Sequence, residues 1–274
     1  MSTEKRFGSN LTSYQDSGEF LEKAKQEFKV TEIVLDIGCG IYPINFFVPK
    51  LHILVEPWSE YVEILRERYK KDSRILIFQA SAIEVLKTLS DKSVDSVYLL
   101  DVIEHLEKDE GKRLLFELER VTLQQIVIFT PLGYMPQHVE VDKRDRWGLS
   151  GGDYQEHKSG WLPEDFEGDW KFHVCPEFHK YDDDGKEFIP AFGAFYAIRD
   201  LNSSELHVQR TYSGDFFRPT AKDQELNTVT QELNTVTNSY SWRITAFLRM
   251  IKAFLGKVIG KFRIKYKDAR KVFN

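Results

Sequence analysis

The sequence predicts an α/β fold: a mostly parallel, seven-stranded sheet covered by helices on both faces, ending in an antiparallel hairpin and followed by a C-terminal helical tail. Three observations carry this expectation. A β-branched run, Thr31-Glu32-Ile33-Val34-Leu35-Asp36, stops at Gly38-Cys39-Gly40, as a buried parallel strand does when it feeds a tight loop. Apolar runs then alternate with helical patterns as far as residue 129, the rhythm of strand–helix–strand units with right-handed crossovers. The last two apolar runs have no helix between them, so they pair as a hairpin on the sheet edge.

In chain order, residues 1–18 are polar and read as loosely ordered, and 19–28 as a short helix. After the first strand, 51–55 is a second, ended by Glu56-Pro57. Tyr61, Ile64 and Leu65 follow at helical spacing. Residues 75–78 form a strand, 83–89 a helix and 94–100 a fourth strand. The helix over 108–121 carries Leu114, Leu115, Leu118 and Val121 on one face. A fifth strand, 126–129, is stopped by Thr130-Pro131. Residues 132–161 are irregular and rich in Gly, His, Asp and Trp; loops of this length in a compact domain are uncommon and often functional. A short helix starts at Pro163. The strands 170–175 and 192–199 flank the turn-rich stretch Tyr181-Asp182-Asp183-Asp184-Gly185. That stretch lacks the full calcium-loop pattern and reads as a solvated turn; no metal ligands are assigned.

Composition narrows the class. The chain has 274 residues, 42% hydrophobic and 30% charged, a globular balance. No apolar run reaches the roughly 18 residues of a membrane span. The polar first ten residues do not read as a secretory signal. Two cysteines, Cys39 and Cys175, cannot frame a disulfide-based fold, so a reducing cytoplasm is expected.

The net charge of −5 hides an asymmetry. The last 35 residues hold ten Lys and Arg against Asp268 alone, hence +9, while the preceding 239 carry −14. Residues 201–222 read as a linker. In 223–240, Gln224-Glu225-Leu226-Asn227-Thr228-Val229-Thr230 recurs at 231–237. Leu226, Val229, Leu233 and Val236 give a short heptad seam that predicts a homo-oligomer, with a helix docked on the body as the alternative. In 241–274, Ile244, Phe247, Leu248, Ile251, Leu255, Val258, Ile259 and Phe262 share a helical face and basic residues lie outside it. Such a helix suits an anionic membrane surface or a partner protein. The acidic body argues against nucleic acid.

In sheets of this kind a ligand sits beyond the carboxyl ends of the strands. Gly38 and Gly40 let the backbone turn tightly and approach a ligand. Asp36 before them can accept from a cationic amino group, and Glu56, twenty residues on, can hold both hydroxyls of a ribose. A nicotinamide dinucleotide would need a third glycine, where Pro43 stands, and Asp36 would repel its phosphate. S-adenosylmethionine has an amino group and no phosphate, and the acid favours it.

These residues carry a resemblance. Val34-Leu35-Asp36-Ile37-Gly38-Cys39-Gly40 resembles motif I of the class I S-adenosylmethionine-dependent methyltransferases, and Leu100-Asp101-Val102-Ile103-Glu104-His105-Leu106 resembles their motif after strand four. The likeness covers roughly residues 30–200 and implies a Rossmann-like methyltransferase domain over 1–200. It implies that Asp36, Gly38, Cys39 and Gly40 line the methionine part and that Glu56 holds the ribose. Asp101 and His105 would face the sulfonium end. The family's usual adenine-binding acid is missing from Gln79-Ala80-Ser81-Ala82, so Ser81 and Ala82 take that place. Cys39 reads as a small turn residue rather than a nucleophile.

Gln155-Glu156-His157-Lys158-Ser159-Gly160-Trp161 resembles a loop of methyltransferases among bacterial glycan-assembly enzymes of the surface-polysaccharide (O-antigen) type. The segment 241–249 resembles a tail of such enzymes. The expected acceptor is a glycan or its precursor. His157 would take the proton of a sugar hydroxyl, and Trp161 would stack on the sugar. The tail would hold a cytoplasmic enzyme at the inner membrane face, against anionic lipid or other glycan-assembly enzymes. Two further classes stay open here: a small-molecule methyltransferase with a partner-docking tail, and a non-catalytic scaffold.

Overall fold

The structure is a computed structural model that describes residues 10–137, 144–145, 147–151, 154–182 and 185–201. The heptads, the basic segment, all but Leu201 of the linker, and His138 lie outside these residues.

Eight strands form one sheet in the order β1-β7-β8-β6-β5-β2-β3-β4. They are β1 (Leu11–Ser13), β2 (Ile33–Ile37), β3 (Leu51–Glu56), β4 (Ile75–Gln79), β5 (Val94–Leu100), β6 (Thr122–Leu132), β7 (Lys171–Tyr181) and β8 (Glu187–Asp200). Strand pairs are parallel except β6–β8 and β7–β8, which are antiparallel. The α/β class and the terminal hairpin are therefore as expected.

The strand count is corrected from seven to eight. Leu11, Thr12 and Ser13 pair parallel with Phe172, His173 and Val174 and cover the edge the hairpin would otherwise leave. Three residues, two of them polar, are too few for an alternating pattern to show. The stretch expected to be loose thus holds a strand and, at Asp16, the cap of a helix.

That helix is α1 (Ser17–Lys25), whose Asp16 side chain accepts from Glu19 N at 2.7 Å. The others are α2 (Ser59–Tyr69), α3 (Ala82–Leu86) and α4 (Lys108–Val121). Every residue of β2 and β3 is buried, as central strands covered on both faces require. Phe20 and Ala24 of α1 pack with Val34, Tyr98, Val127, Phe129 and Tyr196 of the sheet, and α4 buries Leu114, Leu115, Leu118 and Val121 elsewhere in the core. These contacts fix the carboxyl ends of β2, β3 and β5 side by side. Among the described residues no helix is long and apolar enough to cross a membrane.

Candidate active site

A cavity of about 510 Å³ opens beyond those strand ends. Its wall contains Asp36, Gly38, Cys39, Gly40, Glu56, Ser81, Ala82, Asp101 and His105, so nine of the ten expected site residues meet at one place.

Asp36 ends β2 and is buried. Its Oδ2 accepts from Ile44 N at 2.8 Å and lies 3.3 Å from His52 Nε2. Both contacts fall on one oxygen, which leaves Oδ1 to receive an amino group. Glu56 ends β3: Oε2 accepts from Gly40 N at 3.0 Å and Oε1 from Trp58 N at 2.9 Å. Burial, reinforced by the charge of Asp36, pushes its carboxyl up to about 7 against these two amides.

The glycines are required by contact as well as by conformation. Gly38 and Gly40 have φ of +63° and +54°, the left-handed region. A Cβ on Gly38 would lie 2.5 Å from Val102 Cγ2, and one on Gly40 2.8 Å from a ring carbon of Trp147. Cys39 is half-buried. Desolvation and the neighbouring carboxylates push its thiol up, so it is no thiolate nucleophile.

Asp101 follows β5 with φ of +52°, a strained conformation for a residue with a side chain. The chain then makes a 3-10 turn, Ile103–His105. The later loop is stitched onto this turn: Lys158 N and Ser159 N donate to Glu104 O at 2.8 and 3.0 Å, and Trp161 Nε1 donates to Ile103 O at 3.2 Å. The two stretches that the sequence singled out, 101–106 and 155–161, are therefore one structural unit.

His105 lies on the cavity wall, with Nδ1 3.0 Å from Glu156 O. His157 is buried behind it, with Nδ1 2.7 Å from Met135 O and the two rings edge to face at 4.9 Å. His157 is not part of the cavity wall. Burial, then the adjacent His105, pushes it down to about 4, so its imidazole is neutral near pH 7.

Two sequence expectations change. Trp161 is fully buried against Gly111 of α4 and has no face for a sugar. Ser81 caps α3, reciprocally bonded with Glu84, so its hydroxyl is engaged although it lines the cavity. Trp147 lines the wall as its place in a tryptophan-rich stretch suggested, whereas Tyr154 and Lys158 were missed. They come from the irregular 132–161 stretch, whose length and aromatic content were the available signal. The Asp182–Gly185 turn closes on itself, with Gly185 N donating to Asp182 O at 3.0 Å, and His173 is a structural link between Tyr14 and Glu27.

The residues fit S-adenosylmethionine. One carboxylate, Asp36, lines the cavity with an oxygen left for an amino group, a second, Glu56, ends the next strand, and the two glycines let Val102 and Trp147 close against the turn between them. Residues 35–128 match the family model described as a methyltransferase domain. By that match residues 35–128 form a methyltransferase domain. Its cofactor is S-adenosylmethionine.

The chain is also similar to solved structures, and it spans less than half the length of the WbdD chains it matches. One is a SAM-dependent methyltransferase from Archaeoglobus fulgidus, with 20% identity over 66% of this chain and 91% of that one, TM-score 0.43. Another is the bifunctional kinase-methyltransferase WbdD, with 20% identity over 66% of this chain and 36% of that one, TM-score 0.39. A third is the N-terminal domain of EvdMO1 in the presence of SAH and D-fucose, with 12% identity over 69% and 84%, TM-score 0.46. The comparison with curated proteins gave no match.

Proposed function

We propose that this methyltransferase O-methylates a sugar hydroxyl of a bacterial surface glycan or its precursor, a chain end being one such acceptor. The observation that carries this reading is the polar part of the cavity lining. It includes His105, Glu110, Tyr154, Gln155 and Lys158, and Tyr154 is 45% exposed. Several hydrogen-bonding side chains beside an available aromatic ring suit a sugar better than an apolar acceptor. The likeness of the 155–161 loop to glycan-assembly methyltransferases supports it.

When bound, S-adenosylmethionine supplies an activated methyl group and a good leaving group. The chain's residues do the rest. Asp36 holds the amino group and Glu56 the ribose of the cofactor, Asp101 and Val102 line the cavity beside them, and the acceptor hydroxyl is aligned against His105. The His105–His157 pair assists the hydroxyl in losing its proton, directly or through a group it holds. The basic segment 241–274 holds the enzyme at an anionic membrane surface, and the heptads pair copies of the chain; the +9 charge and the apolar seams of the sequence support these assignments.

The test combines calorimetry with S-adenosylmethionine and mass spectrometry of surface glycans from cells with and without the gene. Cofactor binding with loss of one CH₂ per glycan in the deletion is expected. Failure to bind the cofactor overturns the enzyme reading in favour of a scaffold. Binding with unaltered glycans overturns the acceptor in favour of a small molecule.

A further inference from the structure

We propose that Glu104, His105 and His157 hold a divalent metal ion of the zinc type at the acceptor end of the cavity. One ligand atom from each of the three lies within 4.8 Å of the other two. The set brings two imidazoles and one carboxylate together, the donor combination of open zinc sites.

The histidines are oriented for this. His105 Nδ1 faces Glu156 O at 3.0 Å, and His157 Nδ1 faces Met135 O at 2.7 Å. A carbonyl oxygen only accepts, so each Nδ1 carries the proton. Each neutral ring then has its lone pair on Nε2. Metal-bound histidines are held in this way, the far nitrogen donating to a carbonyl or carboxylate that fixes tautomer and ring angle. Two histidines in one contact, from segments 52 residues apart, both show it.

The carboxylate is equally fixed. Glu104 is 2% exposed, and Thr130 Oγ1 donates to its Oε2 at 3.0 Å. Its own carbonyl receives Lys158 N and Ser159 N, which locks the turn bearing Glu104 and His105 to the loop bearing His157.

His105 belongs to the cavity wall, which puts the site beside the space an acceptor would fill. This deepens the methyl-transfer reading and rests on it. A bound ion would lower the pKa of the acceptor hydroxyl; its proton would leave to water, and the oxygen would form the new O–CH₃ bond as the methyl C–S bond of S-adenosylmethionine breaks and S-adenosylhomocysteine departs. The histidine pair thereby serves the acceptor oxygen through an ion.

The experiment is calorimetric titration of the full chain, stripped with chelator, with Zn²⁺ alone. The visible spectrum of the Co²⁺-loaded protein is recorded beside it. One ion per chain is expected, with a low-symmetry Co²⁺ spectrum. Glu104→Gln and His157→Asn are each expected to weaken binding by about 100-fold or more. S-adenosylmethionine affinity, set by Asp36 and Glu56, serves as the folding control for both variants. A variant that has lost cofactor binding is replaced by Glu104→Asp, which keeps the charge and is expected to retain a shifted Co²⁺ spectrum. No stoichiometric Zn²⁺ binding by the wild type, or unchanged Zn²⁺ affinity in folded Glu104→Gln and His157→Asn, overturns the site. Zn²⁺ binding is read without cofactor or acceptor, so its failure is distinct from failure of the methyltransferase reading.

Discussion

Gly38 and Val102 are in contact across the cavity floor: the Cβ that Gly38 lacks would fall 2.5 Å from Val102 Cγ2. One residue belongs to the loop after β2 and the other to the turn after β5, so the two most informative sequence motifs meet at Gly38 and the Val102 side chain. Gly38→Ala is expected to cost stability twice, through the φ of +63° and through this contact. The conformational part is about 1–2 kcal/mol. Gly38→Ala with Val102→Ala relieves only the contact. The double variant should therefore melt between the wild type and the single variant, and cofactor affinity should follow the same order. A double variant no better than Gly38→Ala would show that the conformation alone matters.

Asp36 offers a cleaner reading of cofactor recognition. Its Oδ2 is satisfied within the protein, by Ile44 N and His52. Asp36→Asn can keep the bond from Ile44 N but loses the charge. A charge-assisted hydrogen bond contributes about 1.5–3 kcal/mol, so S-adenosylmethionine affinity should fall by about 10- to 150-fold in calorimetry. Asp36→Ala should fall at least as far. An Asn variant with wild-type affinity would remove Asp36 from the amino-group role.

His157 can be separated from the cofactor in the same way, because it lies outside the cavity wall. His157→Ala is expected to lower turnover by about 10²-fold or more with cofactor affinity near that of the wild type. Unchanged turnover would take His157 out of the acceptor chemistry altogether.

Asp36, the glycines, Glu56 and Asp101 were legible in the sequence because they stand where an apolar run stops, and in a parallel sheet all such points lie on one edge. Trp161 shows the limit of that logic. A tryptophan in a polar loop reads as a binding residue, yet here Gly111, fifty residues earlier, leaves a hollow on α4 that the ring fills. The closure of Trp147 over Gly40 and the support of Asp36 by His52 are likewise contacts between distant segments. Local periodicity carries no trace of them. Strand β1 was invisible for a different reason: its pairing partner, not its own composition, makes it a strand.

The basic segment makes a prediction of its own. Truncation after Thr237 removes the +9 charge and the apolar residues at helical spacing together. The truncated protein should no longer sediment with anionic vesicles, while S-adenosylmethionine affinity should be unchanged. Each Lys or Arg near such a surface contributes about 1 kcal/mol, so raised salt should release the full-length chain too. Equal sedimentation of both forms would reject the membrane role.

Glu56 links cofactor binding to stability through pH. Its carboxyl titrates near 7 in the folded chain against an ordinary 4.5. Between these values the folded state binds more protons than the unfolded one, so stability falls as pH rises through the window. The full cost, about 3 kcal/mol for a shift of this size, is present above pH 7. The ionised form is nevertheless the better acceptor for ribose hydroxyls. S-adenosylmethionine affinity should therefore rise with pH through about 7, in the range where the cofactor-free protein loses stability. Glu56→Gln removes the titration. Its melting temperature should gain on that of the wild type as pH is raised from about 5 to about 8, and its cofactor affinity should be weak and flat. A wild-type minus variant difference in melting temperature that is constant with pH would show that Glu56 ionises at its ordinary value.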